Sequence, residues 1–411
     1  MLTLFVSQRL RGWPGSAPIR PALPAAASGR VLLGGSVLCG LAGVYEWLRV
    51  ALTPHHQTDF LIYYMGGLLG RTQGWAHLYD LDRQKALLSA LWRHPEWMPY
   101  WNPPPLAWLV APLTAIPFQA ALVLWMVLMA ALLALTWLLV APRARHARWV
   151  ALAALLGSIP CVICLREGQV VPALAAAIAL TLLLLRSGHP WLAGLVLAGI
   201  AIKPQPVFLL PLAIAAAGQW RAALSWAAAT AALVALSLAT LGWSGLHTLI
   251  ADLGVARGWP QAPYTVAGVL GGATGLVLRA AIATAAVAVA RRWRERGPEI
   301  PIVAGVVGSL ATTPFTHLQD LTLLVVVGWI ALAADPGPRQ QLFAFAGFLA
   351  LELALAVGQP VLMVETGWLL MMLLVRTSQA TGAEGAGPQG RPLALPWWEA
   401  HRAGISGGRR E

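Results

Sequence analysis

Four short polar stretches interrupt an otherwise apolar chain, and each carries groups capable of acid–base or phosphate chemistry. The first runs from Thr58 to Asp80 and opens with Asp59, followed by Tyr63 and Tyr64. Next come Arg166-Glu167-Gly168-Gln169 and Lys203-Pro204-Gln205-Pro206. The last is TTPFTHLQD, Thr312 to Asp320, in which His317 and Asp320 stand three apart on one helical face. A carboxylate in this company can take the proton of an attacking hydroxyl. Lys203, Arg166 or His317 can meet a phosphate, and Gln169 sits on a tight, hydrogen-bonding tip beside a glycine. The chain has no GxGxxG and no GxxxxGK[ST], which disfavours a nucleotide donor. A lipid-linked phosphate substrate reaching the site laterally through a bilayer fits better.

Each candidate also has a plain reading. Ionisable residues at the end of a membrane span are often only solvated, which explains any one of these stretches better than all four together. Asp80 and Asp82 read as turn and helix-cap residues. His55 and His56 precede Asp59 closely enough to suggest a metal site with His317 and Asp320, but they fit polar linkers better, and no metal is expected. Cys39, Cys161 and Cys164 all lie in apolar runs and read as small buried hydrophobes. Arg279 and Glu352, inside apolar runs, should turn away from lipid and pair with each other or with other buried polar groups.

The elements that position these residues follow from composition. Hydrophobic residues make up 58% of the 411 positions and charged residues 11%, with a mean hydropathy of +0.68; a soluble domain carries about 25% charge. Several apolar runs approach the roughly 20 residues that cross a bilayer as helix, without the alternation of barrel strands. The chain therefore reads as an all-α polytopic membrane protein. Its net charge of +12 comes from arginines placed between apolar runs, so topology explains it and no nucleic-acid partner is expected.

Threading these runs by the positive-inside rule gives about twelve crossings. Residues 1–30 read as a cytoplasmic tail rather than a cleavable signal, because Val31 to Leu52 is long enough to span. A large outer loop, 54–103, follows, with an amphipathic piece from Asp82 to Trp92 and a small-residue face if Asp59 starts a helix: Tyr63, Gly66, Gly67 and Gly70. That face is expected to shape a cavity. Leu106 to Ile116 is too short to cross. Half-length runs flank Lys203-Pro204 and the 312–320 tip as two short hairpins, 242–263 is an outer loop, and 377–411 reads as a disordered cytoplasmic tail. Most of the 28 basic residues then lie inside, while Asp59, the Arg166 to Gln169 tip, Lys203 and the His317/Asp320 tip all fall outside.

In this order, DF followed by YY and YD, then NPPP ahead of Ala111-Pro112-Leu113, then GQ, Lys203-Pro204 and TPFTHLQD resemble glycosyltransferase family 87, the polyprenyl-phosphate-mannose-dependent mannosyltransferases of GT-C type. The likeness runs from about residue 31 to 375. It implies a GT-C-like transmembrane domain over 31–376, in a multi-pass protein of the plasma (inner) membrane. Such an enzyme moves a sugar, mannose, from a polyprenyl monophosphate to an acceptor hydroxyl on a glycolipid, glycan or protein. Transfer occurs at the non-cytoplasmic face, with inversion and no cofactor. By the same likeness Asp59 is the catalytic base and His317 touches donor phosphate or acceptor. Lys203, Arg166, Gln169, Asp320 and Tyr63 belong to the donor or substrate site. The sequence departs from the family at Leu318-Gln319, where members often carry aromatic residues.

A secondary transporter is the alternative from another class, since broken helices and intramembrane charges mark transporters too. Against it, the polar breaks gather toward one face rather than the midplane, and no repeat relates the two halves. A non-catalytic membrane scaffold would explain the arginines but leave Asp59, Lys203 and His317 as coincidence.

Overall fold

Helix is the only way this chain can satisfy its backbone in lipid without closing a barrel, and the described residues form helices joined by short breaks, with no strand among them. In the computed structural model they comprise 58–92, 97–141, 145–256, 263–335 and 337–375, with six isolated positions between 41 and 52. All but those six positions of the first expected span, and both tails, lie outside them. The described fold belongs to the compact unit Met1–Leu373; of the second unit, Leu374–Glu411, only its first two residues are described.

The expected outer loop begins with α1, Asp59–Gln73, which carries an acid in its first turn and Arg71 in its last, both favourable to the helix dipole. Asp80 caps α2, Leu81–Leu91, by accepting from the Arg83 backbone N–H at 3.1 Å, the capping role its sequence suggested. The proline run opens α3, Pro104–Val110, which tightens into a 3-10 turn at Ala111–Ala115, so the segment too short to cross is a half-helix. Tyrosines anchor this close: Tyr79 donates to the Asn102 carbonyl and Tyr100 to that of Pro103, each at 2.9 Å. Burial raises both hydroxyls well above their ordinary range, so they stay protonated donors.

The bundle proper starts with α4, Phe118–Val140, 23 residues long. Leu122, Trp125, Met126, Met129, Leu133, Thr136 and Val140 recur every three or four residues on its inner side, while Leu124, Val127, Leu128 and Leu138 are exposed. Then come α5 (Arg145–Gly157) and α6 (Ile159–Arg166), bent 62° against each other, and α7 (Val171–Arg186), which packs on α4. Helices α8 (Pro190–Leu197) and α9 (Leu210–Ala216) flank the Lys203 break. Long α10, Trp220–Ala256, kinks at Gly242 (φ +62°) and continues; the outer loop expected from 242 is thus helical to Ala256. Short α11 (Val266–Val269) precedes α12 (Gly272–Arg292) and α13 (Glu299–Thr312). After the polar tip come α14 (Thr322–Ala334), α15 (Pro338–Leu353) and α16 (Gln359–Leu374).

Among the described residues three helices, α4, α10 and α12, are long and apolar enough to cross a membrane, or four if α5 and α6 count as one bent span. The other apolar helices hold only 10–17 residues. Helix α13 is buried from Ile300 to Thr312 and packs against α9, α12 and α14. Small residues permit this: a Cβ on Gly305 would lie 2.7 Å from the Leu210 Cα, and one on Gly308 2.5 Å from the Ala286 Cβ. The two intramembrane charges do not pair with each other. Arg279 donates through Nε to the Thr312 carbonyl at 2.7 Å, and Glu352 Oε1 is buried with no partner among the described residues.

The glycine face of α1 is a packed seam, not a cavity. A Cβ on Gly66 would meet the Tyr100 ring at 2.6 Å, one on Gly67 the Ala111 backbone N at 2.9 Å, and one on Gly70 the Trp75 ring at 2.1 Å. Arg71 and Tyr64 tie the same helix to Thr114 and to the Ile116 carbonyl. At Gly67 the obstacle is backbone, which cannot swing aside. Gly67→Ala is therefore expected to destabilise by about 1–3 kcal/mol, read as a lower thermal midpoint of the detergent-purified protein; an unchanged midpoint would mean that the seam yields.

Candidate active site

Two hydrogen bonds hold the tip between α6 and α7, one from α1 and one from α4. The Phe60 N–H donates to the Glu167 carbonyl at 3.2 Å, and the Trp125 indole N–H to that of Gly168 at 2.7 Å. Gly168 has φ +65°, and a Cβ there would lie 3.0 Å from that of Phe60, so both conformation and space call for glycine. Phe60 and Trp125 stack with ring centroids 5.2 Å apart. The tip so held presents Gln169 to the first turn of α1.

Gln169 is the centre of the cluster. Its Oε1 accepts from the Tyr63 hydroxyl at 2.8 Å and from Lys203 Nζ at 3.1 Å, and its Nε2 donates to Asp59 Oδ2. Two donors at one end fix which way the amide points. Burial, and secondarily the charge of Asp59, raises the Tyr63 hydroxyl well above its ordinary range, so Tyr63 remains a donor. Lys203, at the non-helical break, also reaches Asp320 Oδ1 at 2.5 Å, with 7% and 0% of the two side chains exposed. The other oxygen of Asp320 accepts the His317 backbone N–H at 2.9 Å, which shapes the tip. From the same tip, Gln319 Nε2 donates to Asp59 Oδ2 at 3.2 Å, closing a ring of hydrogen bonds through all four polar stretches.

The structure thus joins Asp59, Tyr63, Gln169, Lys203 and Asp320. His317 lies at the edge, tied in through its backbone, with its side chain exposed. Arg166 stands apart: it pairs with the adjacent Glu167 at 2.8 Å, its side chain is 40% exposed, and it makes no bond to the cluster. His55 and His56 lie outside the described residues, and no group of three or more metal-ligating side chains occurs among those described. Gln319 and Trp125 are members that residue type alone did not single out. An indole N–H inside an apolar helix needs a partner, and that need was the available signal for Trp125.

Chemically, the cluster offers a carboxylate whose second oxygen is held by two amides, a lysine neutralised by another carboxylate, and an exposed imidazole beside them. The hydroxyls of Thr58 and Thr316 are buried with no partner among the described residues, a polar lining suited to water or substrate hydroxyls.

Against this geometry stands one comparison. A family model described as "Glycosyltransferase family 87" matches residues 100–316, more than half of the chain. The matched stretch holds Arg166, Gln169 and Lys203, while Asp59, Tyr63, His317 and Asp320 lie outside it. No curated protein and no solved structure matches.

The buried ion pair makes its own prediction. Lys203→Met leaves the Asp320 carboxylate buried and unpaired and should destabilise by about 3–5 kcal/mol, whereas adding Asp320→Asn to it should restore much of the loss. Thermal unfolding of both variants in detergent checks this; a double variant no more stable than the single one would show that the two side chains are not coupled.

Proposed function

The chain belongs to glycosyltransferase family 87 and is a membrane glycosyltransferase, and from that premise we propose a specific reaction for it. The enzyme transfers mannose from a polyprenyl monophosphate carrier to an acceptor hydroxyl, with inversion, at the non-cytoplasmic face. Asp59 takes the proton of the acceptor hydroxyl. The acceptor oxygen attacks the anomeric carbon opposite the phosphate, the bond from that carbon to the phosphate oxygen breaks, and polyprenyl monophosphate leaves with the electron pair. His317, exposed beside the cluster, meets the phosphate as its charge grows. Lys203 adds positive field at short range while remaining paired to Asp320, and Arg166 lies farther out.

The observation that carries this reading is the ring of hydrogen bonds that draws four distant polar stretches around Asp59. A bundle does not bury an ammonium, a carboxylate and two glutamine side chains at helix breaks merely to stay folded, since an apolar core of the same shape would be at least as stable. A lipid-linked donor accords with the intramembrane setting and with the missing nucleotide motifs. The non-cytoplasmic assignment rests on the arginine distribution.

Asp59→Asn should lower sugar transfer in membranes by about 10²–10⁴-fold, the range a positioned base contributes, with the protein still expressed and monodisperse. Transfer at the wild-type rate would remove Asp59 from the base role. In the same assay, with radiolabelled polyprenyl-phosphate-mannose, His317→Ala should raise the donor KM; an unchanged KM would take His317 out of the phosphate site.

A further inference from the structure

We propose that Gln169 and Gln319 are positioning residues that clamp Asp59 by one oxygen, so that the carboxylate reacts through the other, Oδ1. This rests on Asp59 being the base and adds which atom takes the proton and what aims it. Both amide donors converge on Oδ2: Gln169 Nε2 from the α6–α7 tip, and Gln319 Nε2 at 3.2 Å from the tip before α14. Oδ1 receives no hydrogen bond among the described residues, and Asp59 is only half-buried, which leaves this oxygen as the one to accept from a hydroxyl.

The two arms of the clamp are braced differently. Gln169 cannot turn its amide over, because its Oε1 is occupied by Tyr63 at 2.8 Å and Lys203 at 3.1 Å, both donors. Gln319 is fixed by its neighbour Asp320, which holds the same Lys203 at 2.5 Å and the His317 backbone N–H at 2.9 Å. One ammonium therefore steadies both arms. With Gln169 and Gln319 themselves 4% and 8% exposed, the clamp is shielded from solvent where it grips. A general base must hold its accepting oxygen within hydrogen-bond reach of the proton; free rotation of the Asp59 carboxyl would scatter that geometry.

Gln169 thereby leaves the group of substrate-binding candidates, and the difference is measurable. A substrate ligand changes KM when removed, whereas a residue that aims the base changes kcat. Gln169→Leu should lower kcat about 10- to 100-fold, as small misplacements of a reacting group do, with the donor KM within about twofold. Gln319→Leu should do the same to a lesser degree. Tyr63→Phe, which removes one brace without changing shape, should lower kcat severalfold at constant KM.

The three variants and Asp59→Asn are to be compared in detergent, with labelled polyprenyl-phosphate-mannose as donor and membrane extract as acceptor. An inactive Asp59→Asn alongside Gln169→Leu with wild-type kcat, or with raised KM and unchanged kcat, overturns the clamp and leaves the base intact. An active Asp59→Asn overturns the base, and the clamp with it. Should Gln169→Leu fail to purify as a monodisperse protein, Gln319→Leu and Tyr63→Phe decide: lowered kcat at constant KM in both supports the clamp, and wild-type kinetics in both overturns it.

Discussion

An ammonium and a carboxylate can share the interior of an apolar helical bundle only if they touch, and Lys203 and Asp320 do so at 2.5 Å with almost no exposure. Separation would leave each charge buried and uncompensated, at a cost of several kcal/mol. The pair therefore fixes the break between α8 and α9 against the tip that precedes α14. Because Lys203 also holds Gln169, the same contact sets the tip between α6 and α7. Everything at Asp59 is arranged downstream of that ion pair. Its role is geometric before it is energetic, since hydrophobic residues would stabilise the bundle equally well without defining a site.

The scaffold around this pair is built for rigidity by another means. Small residues on α13 bring its backbone close to α9 and α12, and the glycines of α1 do the same against Tyr100, Ala111 and Trp75. In lipid, where apolar surface gives helices no reason to associate, such close approach is what holds them together. Asp59 begins one of these tightly seated helices, and Asp320 follows shortly after the end of another. Asp59 thus inherits its position from packed backbone, whereas Asp320 sits in the 3-10 turn Leu318–Leu321 and is held there by its bonds to Lys203 and the His317 N–H.

Much of this was legible in the sequence, and the reason is contrast. In a chain with 11% charged residues, a lysine followed by Pro204 and Pro206 or an aspartate after an apolar run cannot be overlooked, and the helix starting at Asp59 and the cap at Asp80 followed from local rules. Less legible were groups whose polarity does not break an apolar run. Gln319 looked like a departure from a family pattern, and Trp125 like one more tryptophan among 20. Spacing gave the narrow face of α1 but not its partners, which come from three separate segments. The outer loop expected over 242–263 begins later than the end of the apolar run suggested, because the helix is broken only at Gly242 and resumes as far as Ala256. Of the two alternatives left open for Arg279, pairing with Glu352 or with another buried polar group, the second holds, because a carbonyl at the end of α13 was available to the arginine.

The shortness of the helices next to the cluster has a consequence for the membrane itself. Gln169 lies two residues before α7, Lys203 lies between α8 and α9, and the last tip joins α13 to α14; counted with their adjoining 3-10 turns, these helices hold only 10–17 residues. Even the longest of them rises only roughly 25 Å, whereas the hydrocarbon of a typical bilayer is about 30 Å thick. A bilayer that met these helices over their apolar length alone would have to thin beside this part of the protein. In a bilayer thinned in that way, the helix breaks that carry Gln169, Lys203 and Asp320 would lie nearer the membrane surface than the same breaks would in a bilayer of full thickness.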